Sequence, residues 1–276
     1  MSTRREVLKM GGLAAAGLMA PRIAMAKGAA PVKLGIASYT FRKFTPDQLI
    51  GFMHEIKTPY LNLKDVHLPM TPADAAPKQA AVYRAAGLQL RAAGTIYFLK
   101  DEDEDIRQKF EYVKSAGIPV IVGSPTHEAL GRVESFVKKY DIKLAIHNHG
   151  PEDKEWPSPH DILKHIGKMD KRMGCCVDVG HALRAGDDIP STLREVGPRL
   201  FNMHVKDLAD PHKKESQCDV GDGVMPFRKI FETIIAMKYD GDVDLEYEIN
   251  GDNPLPGVLK SFAFMRKTLS EMGYSA

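Results

Sequence analysis

From Lys33 onward the chain repeats one unit: a short apolar run, a turn, an amphipathic stretch and another turn. The apolar runs are Lys33 to Ser38, Tyr60 to Asp65, Leu88 to Ile96, Ile118 to Val122, Ile142 to His147, Met173 to Asp178, Leu200 to Lys206 and Val243 to Tyr247. The stretches between them carry helix punctuation. Thr45-Pro46, Thr71-Pro72 and Ser158-Pro159 read as an N-cap followed by a first-turn proline, Pro226 as a helix opener, and Gly87 and Gly117 as C-terminal stops. Consecutive parallel strands need a crossover, and the helix supplies it. Eight such units over about 250 residues close into a (β/α)8 TIM barrel. An open doubly wound sheet would carry a Gly-rich phosphate turn after an early strand, and none is present. The expected fold is therefore α/β, a single-domain barrel over residues 31–276.

Four of the last strands end in groups that bind metals. Ile142 to Ile146 runs into His147-Asn148-His149, and the run Gly174-Cys175-Cys176-Val177 ends at Asp178. Leu200 to Met203 runs into His204-Val205-Lys206-Asp207, and Val243 to Leu245 into Glu246-Tyr247-Glu248. A carboxylate at the end of a buried strand is costly unless something binds it. Active sites of these barrels lie at the C-terminal strand ends, where these four groups fall. Side chains alternate along a strand, so His147 shares a face with His149, His204 with Lys206, and Glu246 with Glu248. The expected ligand set is His147 (or His149), Asp178, His204 and Glu246. Two imidazoles and two carboxylates suit one divalent ion, Mn or Zn first and Co or Fe next, better than an all-oxygen Ca or Mg cage. Long loops after strands five and seven, Gly150 to Pro157 and Asp207 to Met225, lie on the same face and are expected to cover a substrate.

The first thirty residues do not belong to this pattern. Arg4-Arg5 precedes an apolar Gly/Ala-rich run from Gly11 to Ala20, and Ala24-Met25-Ala26 offers a small-x-small cleavage site. Residues 1–30 read as a twin-arginine export signal, which predicts a periplasmic or otherwise exported protein with no membrane span once the signal is cleaved. Of 38 basic and 36 acidic residues, residues 1–26 hold four and one, leaving 34 against 35. A mature chain so balanced offers no basic face for nucleic acid, which argues against a DNA-cleaving member of this barrel class. Three cysteines, two of them adjacent, do not make a disulfide framework.

The chain resembles the xylose isomerase-like barrels, the sugar phosphate isomerase/epimerase family, over nearly all of residues 31–276. The resemblance rests on Leu144 to Gly150, Val177-Asp178-Val179-Gly180-His181, His204-Val205-Lys206-Asp207 and Leu245-Glu246, with Gly35 to Tyr39 and Leu63 to His67 resembling exported members. It implies that Asp178, His204 and Glu246 fall on metal positions. It also marks a departure: family epimerases place a Glu at the end of strand five, and here His147 stands there. The His-x-His form is similar to the branch that dehydrates keto-inositols and to barrels acting on 3-keto-glycosides.

A metal that holds a carbonyl and its neighbouring hydroxyl acidifies the adjoining C–H, and a base within hydrogen-bond reach removes the proton. His149, Glu248 and His181 are the candidate bases. Lys64, His67, Asn148, Lys206 and Trp156 are the candidates for binding a sugar. The expected activity is that of a metal-dependent isomerase or epimerase on a small, non-phosphorylated sugar or keto-sugar. A keto-sugar dehydratase, lyase or 3-keto-glycoside-cleaving enzyme shares the same first step. A non-catalytic sugar-binding barrel is the alternative of another class, and a homo-oligomer is a further expectation. Fusing residues 1–30 to a folded reporter should carry it out of the cytoplasm; a reporter retained inside the cell would overturn the export reading.

Overall fold

The computed structural model describes residues 28, 29 and 31–275. The predicted export signal lies outside the described residues except for Gly28 and Ala29. Eight parallel strands close into a barrel: β1 (Lys33–Ala37), β2 (Tyr60–Leu63), β3 (Gln89–Phe98), β4 (Val120–Pro125), β5 (Lys143–His147), β6 (Met173–Asp178), β7 (Leu200–Val205) and β10 (Asp242–Leu245). Neighbours follow chain order, and β10 closes the ring against β1 through Gly35↔Asp244 and Ile36↔Leu245. The helices α1 (Pro46–Ile56), α2 (Ala75–Ala85), α3 (Asp103–Ser115), α4 (Leu130–Tyr140), α5 (Pro159–Ile166), α6 (Val179–Arg184), α7 (Ile189–Val196), α8 (Phe227–Ala236) and α9 (Leu255–Glu271) occupy the crossovers. No helix among the described residues is long and apolar enough to cross a membrane.

The predicted punctuation works where it can. Thr45 and Gln48 form a reciprocal capping box at the start of α1. One prediction fails: Thr71-Pro72 does not open α2, which begins at Ala75. Pro77 explains the shift. A start at Pro72 would bury Pro77 in the helix interior, where its missing N–H and its ring are costly; starting at Ala75 keeps it in the first turn. The structure also adds α6, a short helix that springs directly from Asp178. The loop after β7 holds a two-residue ladder, β8 (Asp207–Leu208) against β9 (Gln217–Cys218). Its organiser is the buried Asp207 carboxylate, which accepts N–H bonds from Leu208, Gly221, Gly223 and Met225.

The main apolar core lies between sheet and helices, with Ile36, Leu61, Leu63, Phe98, Ile146, Val177 and Val205 meeting Leu49, Phe110, Ile162, Phe231 and Phe262. A second, smaller cluster of Ala92, Val122, Ala145 and Cys176 is separate from it. Next to it lies a polar chain: Cys176 Sγ donates to Asn202 Oδ1 at 3.3 Å, and Asn202 Nδ2 donates to Asp244 Oδ2 at 2.8 Å. Burial, followed by the nearby Asp242 carboxylate, pushes Asp244 up to about 8, which favours its neutral form. Asp244 has room because Gly35 on β1 carries no side chain; a Cβ there would overlap Asp244 Oδ1 and press on Tyr60. Gly35→Ala should therefore cost about 1–3 kcal/mol in a denaturant titration, and an unchanged midpoint would show that this layer is not tightly packed.

Candidate metal centre and active site

The strand ends converge as the alternation rule requires. His147, Asp178, His204 and Glu246 each present a ligand atom, and the four atoms lie within 4.8 Å of one another. His147 Nε2 is 3.1 Å from His204 Nδ1 and 3.6 Å from Asp178 Oδ2, and His204 Nδ1 is 3.4 Å from Glu246 Oε1. Atoms bound at about 2.1 Å to one ion stand about 3.0–3.5 Å apart, so the set fits a single ion with little rearrangement. Asp178 supplies the clearest sign. Its Oδ1 accepts the His181 N–H at 2.9 Å and caps α6, while its buried Oδ2 faces the cluster, 3.6 Å from His147 Nε2 and 3.1 Å from the Lys206 ammonium. The capping role and the ligand role use different oxygens of one carboxylate.

His147, not His149, joins the set. Strand β5 ends at His147, and beyond it the loop turns His149 into the cavity wall. That cavity, of about 250 Å³, is lined by Tyr39, Lys64, Thr95, Tyr97, His149, His181 and Glu248 above His147 and Glu246. His149 Nδ1 stands 3.3 Å from Asp153 Oδ2, and its Nε2 is 3.5 Å from the Tyr97 hydroxyl. Asp153 is itself oriented by the N–H groups of Glu155 and Trp156. The neighbouring His149 imidazole, then the Trp156 and Glu155 N–H groups, hold its carboxyl well below the usual range despite partial burial.

Four of the sequence-predicted residues take other parts. Lys206 stays out of that cavity and borders a second one, beside His181, Gln217 and Glu248. It is 3 % exposed, with Nζ 3.1 Å from Asp178 Oδ2, 3.0 Å from Glu246 Oε2 and 2.5 Å from Glu248 Oε2. Burial would lower its pKa, but the three carboxylates raise it well above the usual ammonium range. Burial likewise would raise Asp178 and Glu246, and Lys206 is the strongest of the neighbours that hold both low instead. Asn148 is fully buried and bridges to the backbone of Asp178, accepting its N–H at 2.9 Å and donating to its carbonyl at 3.0 Å. Trp156 is buried too: its Nε1 donates to Pro125 O at 2.6 Å, and its carbonyl receives the His149 N–H. It anchors the loop that carries His149 instead of covering a sugar. His67 is buried away from the cavity, with Nε2 3.1 Å from the Phe44 carbonyl, and burial above all lowers its pKa.

Lys64 does line the cavity. Its Nζ donates to Thr95 O at 2.5 Å and lies over the Tyr97 ring at 5.3 Å. His181 also reaches the wall; burial above all pushes it down to about 4. His147 is pushed down to about 3, by burial first and then by His149, so it is neutral at pH 7 as a ligand must be. Burial above all raises Glu248, against the pull of Lys206. Tyr39, Thr95 and Tyr97 enter the wall without having been singled out for it. Asp153 joins His149, and Asn62 approaches His204 Nε2 at 2.8 Å, on the side away from the cluster.

Fold and strand-end site together define a class. The chain belongs to the xylose isomerase-like TIM barrel family, whose sequence pattern matches residues 67–268. It is 23 % identical over 158 residues to an inosose dehydratase of Lacticaseibacillus casei, a match covering 51 % of this chain and 53 % of that protein. The chain thus spans about half the length of the curated relatives it matches. Among solved structures, the Escherichia coli 3-keto-D-glucoside 4-epimerase superposes with a TM-score of 0.67 at 15 % identity, covering 86 % of this chain and 99 % of that one. The IOLI protein, solved with a zinc atom, superposes at 0.69 and 16 % identity, covering 87 % and 99 %. At these identities the likeness shows the fold, and the named relatives are enzymes or a metal-bound protein. Elemental analysis should find about one divalent ion per chain. His147→Ala and Asp178→Ala should lose most of it while His149→Ala keeps it; equal loss in all three would overturn the assignment of His147.

Proposed function

We propose that this protein is a divalent-metal-dependent enzyme that removes the proton next to the carbonyl of a non-phosphorylated keto-sugar, leading to isomerisation or epimerisation. The observation that carries the reading is the oriented His149–Asp153 pair in the cavity wall, one turn of chain beyond the His147, Asp178, His204 and Glu246 cluster. An ion held by those four residues would act as a Lewis acid toward a carbonyl and its neighbouring hydroxyl.

The protein's own groups do the rest. Lys64, Tyr39 and Tyr97 offer donors to sugar oxygens across a cavity that suits one ring. His149 Nε2 takes the proton, while Asp153 keeps Nδ1 protonated and stabilises the imidazolium that forms. Glu248 suits the opposite task. Burial favours its protonated form, so it can return a proton where His149 removes one.

The glycines after β7 favour a substrate without phosphate. Gly221 and Gly223 spend their N–H groups on the Asp207 carboxylate, so they do not form a phosphate cup. A second reading, elimination of a β-hydroxyl to give a dehydrated product, is favoured by His147 at the end of β5. A Glu at that position is what a two-carboxylate epimerase would use. The inosose dehydratase likeness supports the same reading. Export by the twin-arginine route remains part of the proposal, and a folded protein carrying its ion suits that route.

With Mn- or Zn-loaded protein and a series of free keto-sugars and 3-keto-glycosides, turnover in deuterated water should place deuterium on the carbon beside the carbonyl. His149→Ala should slow turnover by about 10²–10⁴-fold with its ion content unchanged. Product formed without deuterium uptake, or undiminished by the substitution, would overturn the scheme.

A further inference from the structure

We propose that Asn62, on β2, is the positioning residue that makes His204 a ligand through Nδ1; this rests on the metal reading of the cluster. His204 Nδ1 is the nitrogen that faces the other ligands, 3.1 Å from His147 Nε2 and 3.4 Å from Glu246 Oε1. A neutral imidazole has one lone pair, so ligation through Nδ1 requires the proton on Nε2. The group that meets Nε2 therefore decides whether that form is favoured. Asn62 meets it at 2.8 Å, across the barrel from a different strand, and is fully buried.

The amide can play the part in one orientation. An Nε2–H needs an acceptor, which is Asn62 Oδ1, not its Nδ2. The two ends of an amide are nearly isosteric and exchange by a half-turn. Asn62 Oδ1 is buried and has no hydrogen-bond partner where it stands, so the half-turn gives that orphaned acceptor a donor. Ligand histidines are commonly fixed through the nitrogen that does not bind the ion. Of the two imidazoles here, His204 has a side chain at that position, whereas His147 Nδ1 is buried with no partner. Asn62 does not itself line the cavity, and its side-chain contact is to His204.

The test measures ion affinity by chelator competition on the full-length protein with Zn and with Mn. Asn62→Ala should weaken binding about 10–100-fold, and Asn62→Asp, which restores an acceptor, should recover most of it. Nitrogen-15 histidine spectra of the Zn-loaded wild type, assigned with His204→Gln, should show His204 protonated at Nε2. Affinity in Asn62→Ala within twofold of wild type, or a loaded His204 protonated at Nδ1, overturns the proposal; the spectrum decides even where Asn62→Ala does not fold. Wild type that takes up no ion would overturn the metal reading and this proposal together, whereas wild type and Asn62→Ala binding equally would overturn this proposal alone.

Discussion

The active face depends on one buried cation. Lys206 leaves the end of β7 and places its ammonium among Asp178 of β6 and Glu246 and Glu248 at the end of β10. Burying Asp178 and Glu246 at one point, beside the half-exposed Glu248, costs several kcal/mol per ion unless they are compensated. One ammonium compensates part. Against the effect of burial, the neighbouring Cys176 and Glu246 raise His204 well above the usual imidazole range, and an ion held by His204 would displace its proton. The lysine thus holds three strand ends in register. Removing it would leave uncompensated buried carboxylates, so it serves the fold and the site together. Gly180 accommodates this arrangement: a Cβ there would overlap the Lys206 stem.

Much of this was legible because barrels put their chemistry at strand ends, and strand ends are visible as apolar runs meeting polar residues. The barrel, the strands and the four converging residues all follow from that grammar. It stops at the last strand residue. Period two put His147 and His149 on one face and left the choice open; the end of β5 decides it. The same limit explains Asn148, which lies past the strand and turns back to the Asp178 backbone. Burial is the other gap. Trp156, His67 and Lys206 are polar or amphipathic side chains on the right face, and nothing local distinguishes a cavity wall from a buried anchor. Asn62 was silent for a different reason. Its partner lies 142 residues away, and an Asn within a four-residue strand carries no signal by itself.

The supporting residues share one feature: each fixes an orientation, not a position. Asn148 holds the backbone of Asp178 through both of its polar groups, and the Asp178 side chain divides between capping and the cluster. Trp156 ties the His149 backbone to β4 through Pro125, and Asp153 turns the His149 ring. Asp207 gathers the glycine loop beside them. Groups held in orientation by such partners need little reorganisation when charge develops on a substrate. Loops of this kind would otherwise be the most mobile part of a barrel.

The imidazole at the end of β5 carries the chemical consequence. A carboxylate there could both bind an ion and move a proton, one residue serving two roles. His147 is fully buried, and burial keeps it neutral, so it can bind an ion but has little capacity to take up a proton. In the proposed reaction the proton-moving role passes to a neighbour outside the cluster. His149 is the residue two positions on, already turned into the cavity and already paired with a carboxylate. In the proposed reaction binder and base are separate residues, with His149 on the β5 side and Glu248, whose pKa burial raises, on the β10 side. That asymmetry permits proton transfer across a sugar ring, and it equally permits expulsion of a hydroxyl that the acid protonates. The decision between the two then rests on which substituent the Lys64 and Tyr97 wall places against Glu248, a matter of how the ring is held and not of which atoms surround the ion.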